Sequence, residues 1–179
     1  MLDVLHLSSD LRRLSGGLSA PLITAVLLVA AITVILAALA FQHIGGYTPC
    51  PLCLQQRYAY YLGIPALAGA LALMLAGRPK VAAGILAAVA LAFVFNAGLG
   101  GYQAGAEWKF WEPPTTCAGS GELPTFDLKT MNLDRMPASC GVASWRFLGL
   151  SFAGWNAFFS AGLAAGAALG VLKAVRRSD

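Results

Sequence analysis

The chain has 179 residues, of which 58% are hydrophobic and only 11% are charged, with a formal net charge of +4. In soluble globular domains about a quarter of all residues are charged, so this composition excludes an ordinary water-soluble fold. It also excludes intrinsic disorder, whose signature is low hydrophobicity combined with high net charge. A small integral membrane protein of one domain remains.

Four apolar stretches without a charged residue follow one another along the chain. At about 1.5 Å per residue each reaches about 30 Å, which is enough to cross a bilayer as a helix. They are apolar on all sides, which requires lipid or other helices around them. The sequence therefore predicts an all-α fold, an integral membrane four-helix bundle that forms a single domain over residues 1–179. The predicted spans are residues 21–41, 58–76, 81–102 and 147–172.

Lysine and arginine residues indicate the orientation of the bundle, because they are enriched in the short cytoplasmic segments of membrane proteins. One side of the predicted bundle carries Arg12, Arg13, Arg78, Lys80, Lys173, Arg176 and Arg177. We therefore expect both termini in the cytoplasm and the loops 42–57 and 103–146 on the outer side. The basic residues then set the topology and contact anionic lipid, and they need no nucleic-acid partner.

Four cysteines lie in pairs in the two outer loops, where an oxidising compartment lets disulfides persist. Cys50 and Cys53 have the C-x-x-C spacing of redox exchange, and so small a disulfide ring would contribute little as a staple. Cys117 and Cys140, taken alone, fit either a loop staple or exchange. Because a four-cysteine zinc site usually needs two C-x-x-C pairs, we predict no metal.

Arg57 is the only charged residue in the first outer loop, and it follows Cys53 by four residues. If a helix begins near Pro51, a favoured first residue, Cys53 and Arg57 share one helix face. The helix dipole and the guanidinium would then both favour the thiolate of Cys53. Alternatively, Arg57 reaches out to the lipid headgroups. Since the motif borders the bilayer, a lipid-soluble two-electron acceptor, a quinone, suits its position better than a soluble one.

Together, these features resemble the disulfide bond formation protein B (DsbB) family over about residues 20–172. They are the four spans, Cys-Pro-Leu-Cys ahead of the second span, Arg57, and the cysteine pair in the second outer loop. The resemblance implies a quinone-dependent protein-dithiol oxidase of the bacterial inner membrane with periplasmic loops. Such an enzyme reoxidises a periplasmic, thioredoxin-fold DsbA-like oxidase and passes two electrons to ubiquinone or menaquinone, and so to the quinone pool and respiratory chain.

The resemblance also implies a role for each cysteine. The reduced partner would attack Cys117, and Cys140 would then attack Cys50. This second exchange would release Cys53 as the thiolate that faces the quinone. Arg57 would stabilise that thiolate and polarise a quinone oxygen.

One departure concerns the outer end of the third span, where some family members carry a histidine that contributes to the quinone site. The stretch Gly101–Trp108 contains no histidine. Our candidates for lining the site are Glu107 and Trp108, with Glu107 also assisting proton uptake. The alternative is a solvated glutamate and an interfacial tryptophan. Residues 123–133 could form an amphipathic segment along the membrane surface.

Two other functions are compatible with the same residues. An enzyme of the vitamin K epoxide reductase type also couples cysteine pairs to a quinone, but its quinone-side C-x-x-C lies late in the bundle. A four-span membrane scaffold with structural disulfides would require the cysteine pairs to be inert.

Overall fold

A computed structural model describes residues 19–114, 117 and 140–176, and the segment 123–133 lies outside the described residues. The described part contains four helices that are long and apolar enough to cross a membrane. They are α1 (Ala20–His43), α2 (Pro51–Leu75), α3 (Pro79–Glu107) and α4 (Phe152–Arg176). The predicted four-helix membrane fold is confirmed. Two short antiparallel strands, β1 (Arg146–Phe147) and β2 (Leu150–Ser151), precede α4.

Three helix ends differ from the predicted spans by five residues or more. The reason is that hydropathy locates the apolar part of a helix, whereas the helix itself begins and ends with its backbone hydrogen bonds. Helix α2 begins at Pro51, so the C-x-x-C motif opens a helix instead of ending a loop. Helix α3 continues past residue 102 to Glu107. Helix α4 begins only at Phe152, because β1 and β2 form a hairpin whose turn contains Leu148 and Gly149 at positive φ.

The helices pack in a ring in which α1 contacts α2 and α4, and α3 also contacts both α2 and α4. The centre is apolar and closely packed. Its fully buried side chains include Ala31, Leu67, Leu86, Phe93 and Ala167.

Small residues allow the closest approaches between helices. A Cβ placed on Gly100 would lie 2.9 Å from the Ala153 carbonyl oxygen and from the Ala157 nitrogen, so α3 and α4 touch there through backbone. On α4, Gly166 and Gly170 face side chains of neighbouring helices, whereas Gly162 faces open space.

Polar side chains also link α2, α3 and α4 inside the bundle. The Tyr60 hydroxyl donates to Asn156 Oδ1 at 2.8 Å, and Asn96 Nδ2 donates to Ser160 Oγ at 2.9 Å. Within a membrane these groups have no water as an alternative partner, so their pairing favours this arrangement of helices.

An aromatic cluster joins the end of α1 to the start of α4. The Phe41 ring lies 5.0 Å from that of Phe152 and 5.3 Å from that of Trp145, and Tyr47 packs against both phenylalanines. This cluster, at the end of the bundle that carries the cysteines, holds the hairpin segment against the first helix.

Candidate functional site

The first turn of α2 presents the C-x-x-C motif. Pro51 occupies the start of the helix, and the sulfur of Cys50, the N-cap residue, accepts the backbone N–H of Cys53 at 3.1 Å. Cys50 and Cys53 are joined in a disulfide. Cys53 therefore lies at the positive end of the helix dipole, where a developing thiolate is favoured.

The second disulfide, between Cys117 and Cys140, lies in the same buried cluster as the first. Cys50, Cys117 and Cys140 are each at most 5% exposed and form one buried cluster with Leu52, against which Cys53 packs. The fold thus gathers the two cysteine pairs, which are far apart in sequence, into one buried cluster.

Lys109 holds the Cys140 segment near the end of α3. Its Nζ donates to the Gly141 carbonyl oxygen at 2.9 Å. Lys109 itself adopts a positive φ of 64°, which turns the chain sharply away from the helix axis. The end of α3 is thereby tied to the residue that follows Cys140.

Arg57 lies one turn after Cys53 on α2 and is half-buried. Its Nη1 donates to Gln42 Oε1 at the end of α1. The guanidinium lines the same cavity as Cys53.

That cavity, of about 610 Å³, lies among α1, α2, the end of α3 and the start of α4. Its volume falls within the range of about 300–1,000 Å³ that small-molecule sites occupy. Most of its wall is apolar or aromatic, with polar groups gathered near the motif. These polar groups include Gln42, Cys53, Gln56, Arg57, Gln103 and Glu107.

Gln103, which the sequence analysis did not single out, contacts both sulfurs of the motif. Its Nε2 lies 3.3 Å from Cys50 Sγ and 3.3 Å from Cys53 Sγ. Its Oε1 accepts from Gln56 Nε2 at 2.7 Å. The signal in the sequence was a glutamine near the end of an otherwise apolar stretch, four residues before Glu107.

Glu107 and Trp108, at the end of α3, were the two further candidates for lining a quinone site. Glu107 lines the cavity and Trp108 does not. Glu107 is 8% exposed, and its Oε2 is a buried oxygen for which the described residues offer no hydrogen-bond partner. Arg146 Nη2 donates to the Glu107 backbone carbonyl at 3.3 Å. The Trp108 ring is half-exposed and packs edge-on against Phe110 outside the cavity, because α3 ends at Glu107 and the chain turns there.

Comparison with known proteins agrees with this architecture. A family model described as disulfide bond formation protein DsbB matches residues 20–170. Disulfide bond formation protein B of Polaromonas sp. strain JS666 is 31% identical over 146 residues, which cover 75% of this chain and 80% of the relative. The protein of the same name from Xanthomonas axonopodis pv. citri is 35% identical over 143 residues, which cover 75% of this chain and 79% of the relative.

A third relative, disulfide bond formation protein B of Azoarcus sp. strain BH72, is 34% identical over 122 residues, which cover 64% of this chain and 70% of the relative. No solved structure matches the chain significantly. The family match begins with α1, ends inside α4 and includes the four cysteines. The chain therefore belongs to the DsbB family and is a membrane oxidoreductase that forms disulfide bonds.

Proposed function

We propose that this chain is a thiol:quinone oxidoreductase of the bacterial inner membrane. It reoxidises a periplasmic DsbA-like dithiol oxidase of the thioredoxin fold and passes two electrons to ubiquinone or menaquinone. The observation that carries the proposal is the position of the Cys50–Cys53 disulfide. It borders a large, mostly apolar cavity and belongs to the same buried cluster as the second disulfide.

Each step of the proposed exchange replaces one S–S bond by another. A partner thiolate attacks Cys117, a mixed disulfide forms, and Cys140 leaves as a thiolate. Cys140 then attacks Cys50, which releases Cys53 as a thiolate. The order of attack comes from the family resemblance, and the position of the two disulfides in one buried cluster supports the second step.

The remaining steps restore the enzyme. The second thiol of the partner attacks the mixed disulfide, so the partner leaves oxidised and Cys117 is released. Cys117 then attacks Cys140, which restores the Cys117–Cys140 disulfide and releases Cys50 as a thiol. Cys50 and Cys53 lose two electrons and two protons as their own disulfide re-forms, and a quinone bound in the cavity would accept both.

The residues around the cavity fit such an acceptor. The wall is mainly aliphatic and aromatic, as a flat apolar ring requires, and donors stand at the end beside Cys53. Arg57 would stabilise the Cys53 thiolate and polarise a quinone oxygen, because a guanidinium acts strongly in a site of low dielectric. Glu107, buried in the wall, would hold or deliver a proton. Trp108 is left out of the proposed site because its ring lies outside the cavity.

The proposed orientation places both termini in the cytoplasm and the two cysteine pairs in the periplasm. Arg78, in the link between α2 and α3, and Lys80, in the first turn of α3, lie at the opposite end of the bundle from the cysteines. Lys173 and Arg176 lie at that same end, in the last turn of α4. This distribution of positive charge supports a cytoplasmic position for that end.

The test uses the purified full-length protein in detergent, oxidised ubiquinone-1 and a reduced DsbA-like protein. We expect the quinone absorbance to fall with the natural chain and to stay constant with Cys53→Ser. If the natural chain gives no turnover and both disulfides persist beside the reduced partner, the proposal is wrong and the four-span scaffold is favoured. Preferred turnover of a vitamin K epoxide would instead indicate the other enzyme class.

A further inference from the structure

Gln103 is a buried polar residue that the proposed mechanism does not yet use. Its side chain is 3% exposed. The amide nitrogen lies at hydrogen-bond distance from the sulfurs of both Cys50 and Cys53. A polar group buried to this extent on a membrane-spanning helix is costly unless its hydrogen bonds are satisfied.

The orientation of the Gln103 amide is fixed by its neighbours. Nε2 donates to Glu107 Oε1 at 3.3 Å. On the other side, Gln103 Oε1 accepts from Gln56 Nε2 at 2.7 Å, and Gln56 Oε1 accepts from Asn156 Nδ2 at 2.7 Å. The N–H groups of Gln103 are therefore held toward the sulfurs and the carboxylate.

We propose that Gln103 is a further catalytic residue, whose Nε2–H donates a hydrogen bond to the Cys53 sulfur and stabilises the thiolate that exchange releases. This inference rests on the proposed function for the identity of Cys53 as the released sulfur. Gln103 keeps its protons throughout, so the balance of electrons and protons in the exchange is unchanged.

The chemical reason lies in the surroundings of the sulfur. A thiolate in a poorly hydrated site is unfavourable unless donors replace the lost water. Arg57 supplies charge, but its Nη1 is directed to Gln42. Gln103 supplies a donor in direct contact with the reacting atom, and the amide is held in place before the thiolate forms, which avoids a reorganisation cost during exchange.

The test measures the Cys53 thiol alone and needs neither quinone nor partner. In the full-length chain, Cys50→Ser, Cys117→Ser and Cys140→Ser leave Cys53 as the single thiol. The rate of alkylation by iodoacetamide is then followed against pH. Because a hydrogen bond to a charged group is strong, Gln103→Leu should raise the midpoint of this profile by about one to two pH units.

The matched control is Asn96→Leu in the same single-thiol chain. Asn96 is also a buried amide on α3, but it donates to Ser160 inside the bundle and not to a cysteine. Asn96→Leu should leave the alkylation midpoint unchanged. If Gln103→Leu also leaves it unchanged, or if both substitutions shift it equally, the proposal is wrong.

A second variant, Gln103→Met, covers the case in which Gln103→Leu fails to fold. It keeps the length of the side chain but has no N–H to donate to the sulfur. The midpoint should therefore rise about as far as with leucine, and a midpoint equal to that of the parent would contradict the proposal. Should the natural chain reduce no quinone, the proposed function fails while this measurement still decides whether Gln103 stabilises the thiolate.

Discussion

Arg57 enters the cavity from the second turn of α2, on the same helix face as Cys53. Its hydrogen bond to Gln42 fixes the guanidinium between α1 and α2. A fixed positive charge in an apolar wall acts on a nearby oxygen or sulfur far more strongly than it would in water. The contribution of Arg57 should therefore depend on both its charge and its planar shape.

Removing the charge at position 57 tests this argument. We expect Arg57→Met to lower kcat/KM for ubiquinone by about 10- to 100-fold, as for the loss of a hydrogen bond to a charged group. The kcat/KM of Arg57→Lys should lie between those of the natural chain and Arg57→Met, because an ammonium group keeps the charge but loses the planar set of donors of a guanidinium. Steady-state quinone reduction measures both. The control is Arg78→Met, at the opposite end of the bundle, whose kcat/KM should equal that of the natural chain. If Arg57→Met also had the kcat/KM of the natural chain, Arg57 would only anchor the helix.

Glu107 offers a separate prediction, because its Oε2 is buried at the cavity wall without a partner among the described residues. If it delivers a proton during quinone reduction, Glu107→Gln should lower kcat by about 100-fold or more, since general acid–base groups contribute on this scale. The KM for quinone should change little, because glutamine has nearly the same shape. Stopped-flow or steady-state reduction assays separate the two constants, and an unaltered kcat would leave Glu107 with a structural role.

At the scale of elements, the contact between α3 and α4 decides where the end of α3 lies. Gly100 brings the two helices into backbone contact only three residues before Gln103. A side chain there would meet main-chain atoms of Ala153 and Ala157, which cannot rotate away. The packing at Gly100 therefore sets the spacing of α3 and α4 one turn before Gln103.

A methyl group at this contact should separate the helices. We expect Gly100→Ala to destabilise the protein by about 1–3 kcal/mol, the usual cost of overpacking, and to slow turnover as well. Gly98→Ala and Gly101→Ala are matched controls on the same helix, since a Cβ at either position meets no atom within 4 Å. Thermal unfolding in detergent should show these controls at or slightly above the stability of the natural chain, because alanine favours helix. Equal stability of all three variants would contradict the close contact.

The whole molecule has two chemically different ends. One end carries the cysteines, the aromatic cluster of Phe41 and Trp145, and the C-terminal end of α3. The other end carries the basic segment 77–80. A bundle with this asymmetry should insert in one orientation, because translocating the positive end is unfavourable.

Labelling from each side of the membrane tests the orientation. In a chain whose four cysteines are replaced by serine, single cysteines are introduced by Arg78→Cys and Glu112→Cys. A membrane-impermeant maleimide should label Arg78→Cys in inverted vesicles and Glu112→Cys in spheroplasts. The reverse pattern would place the cysteine pairs in the cytoplasm, where a reducing environment opposes stable disulfides.

Local patterns in the sequence were sufficient for several features. The four spans follow from runs of apolar residues, because a helix in lipid must satisfy its own backbone. The helical first turn at Cys53 and the shared face of Cys53 and Arg57 follow from Pro51 and from helix periodicity. The ends of the four helices were less predictable. Helix α3 continues to Glu107 although polar residues interrupt its apolar sequence, and α4 is preceded by a hairpin that hydropathy alone does not reveal.

The amino-acid sequence alone was therefore sufficient to predict the class of the protein, its four membrane spans and the cysteines that we propose carry its chemistry, since each depends on neighbours within a few turns. The packing of the chain was needed to show that the two disulfides share one buried cluster, that Gln103 donates to both sulfurs of the motif, and that Glu107 faces the cavity while Trp108 does not. The physical reason is that these contacts join residues from different helices and loops. Their distances depend on how the helices pack against one another, which no local pattern encodes.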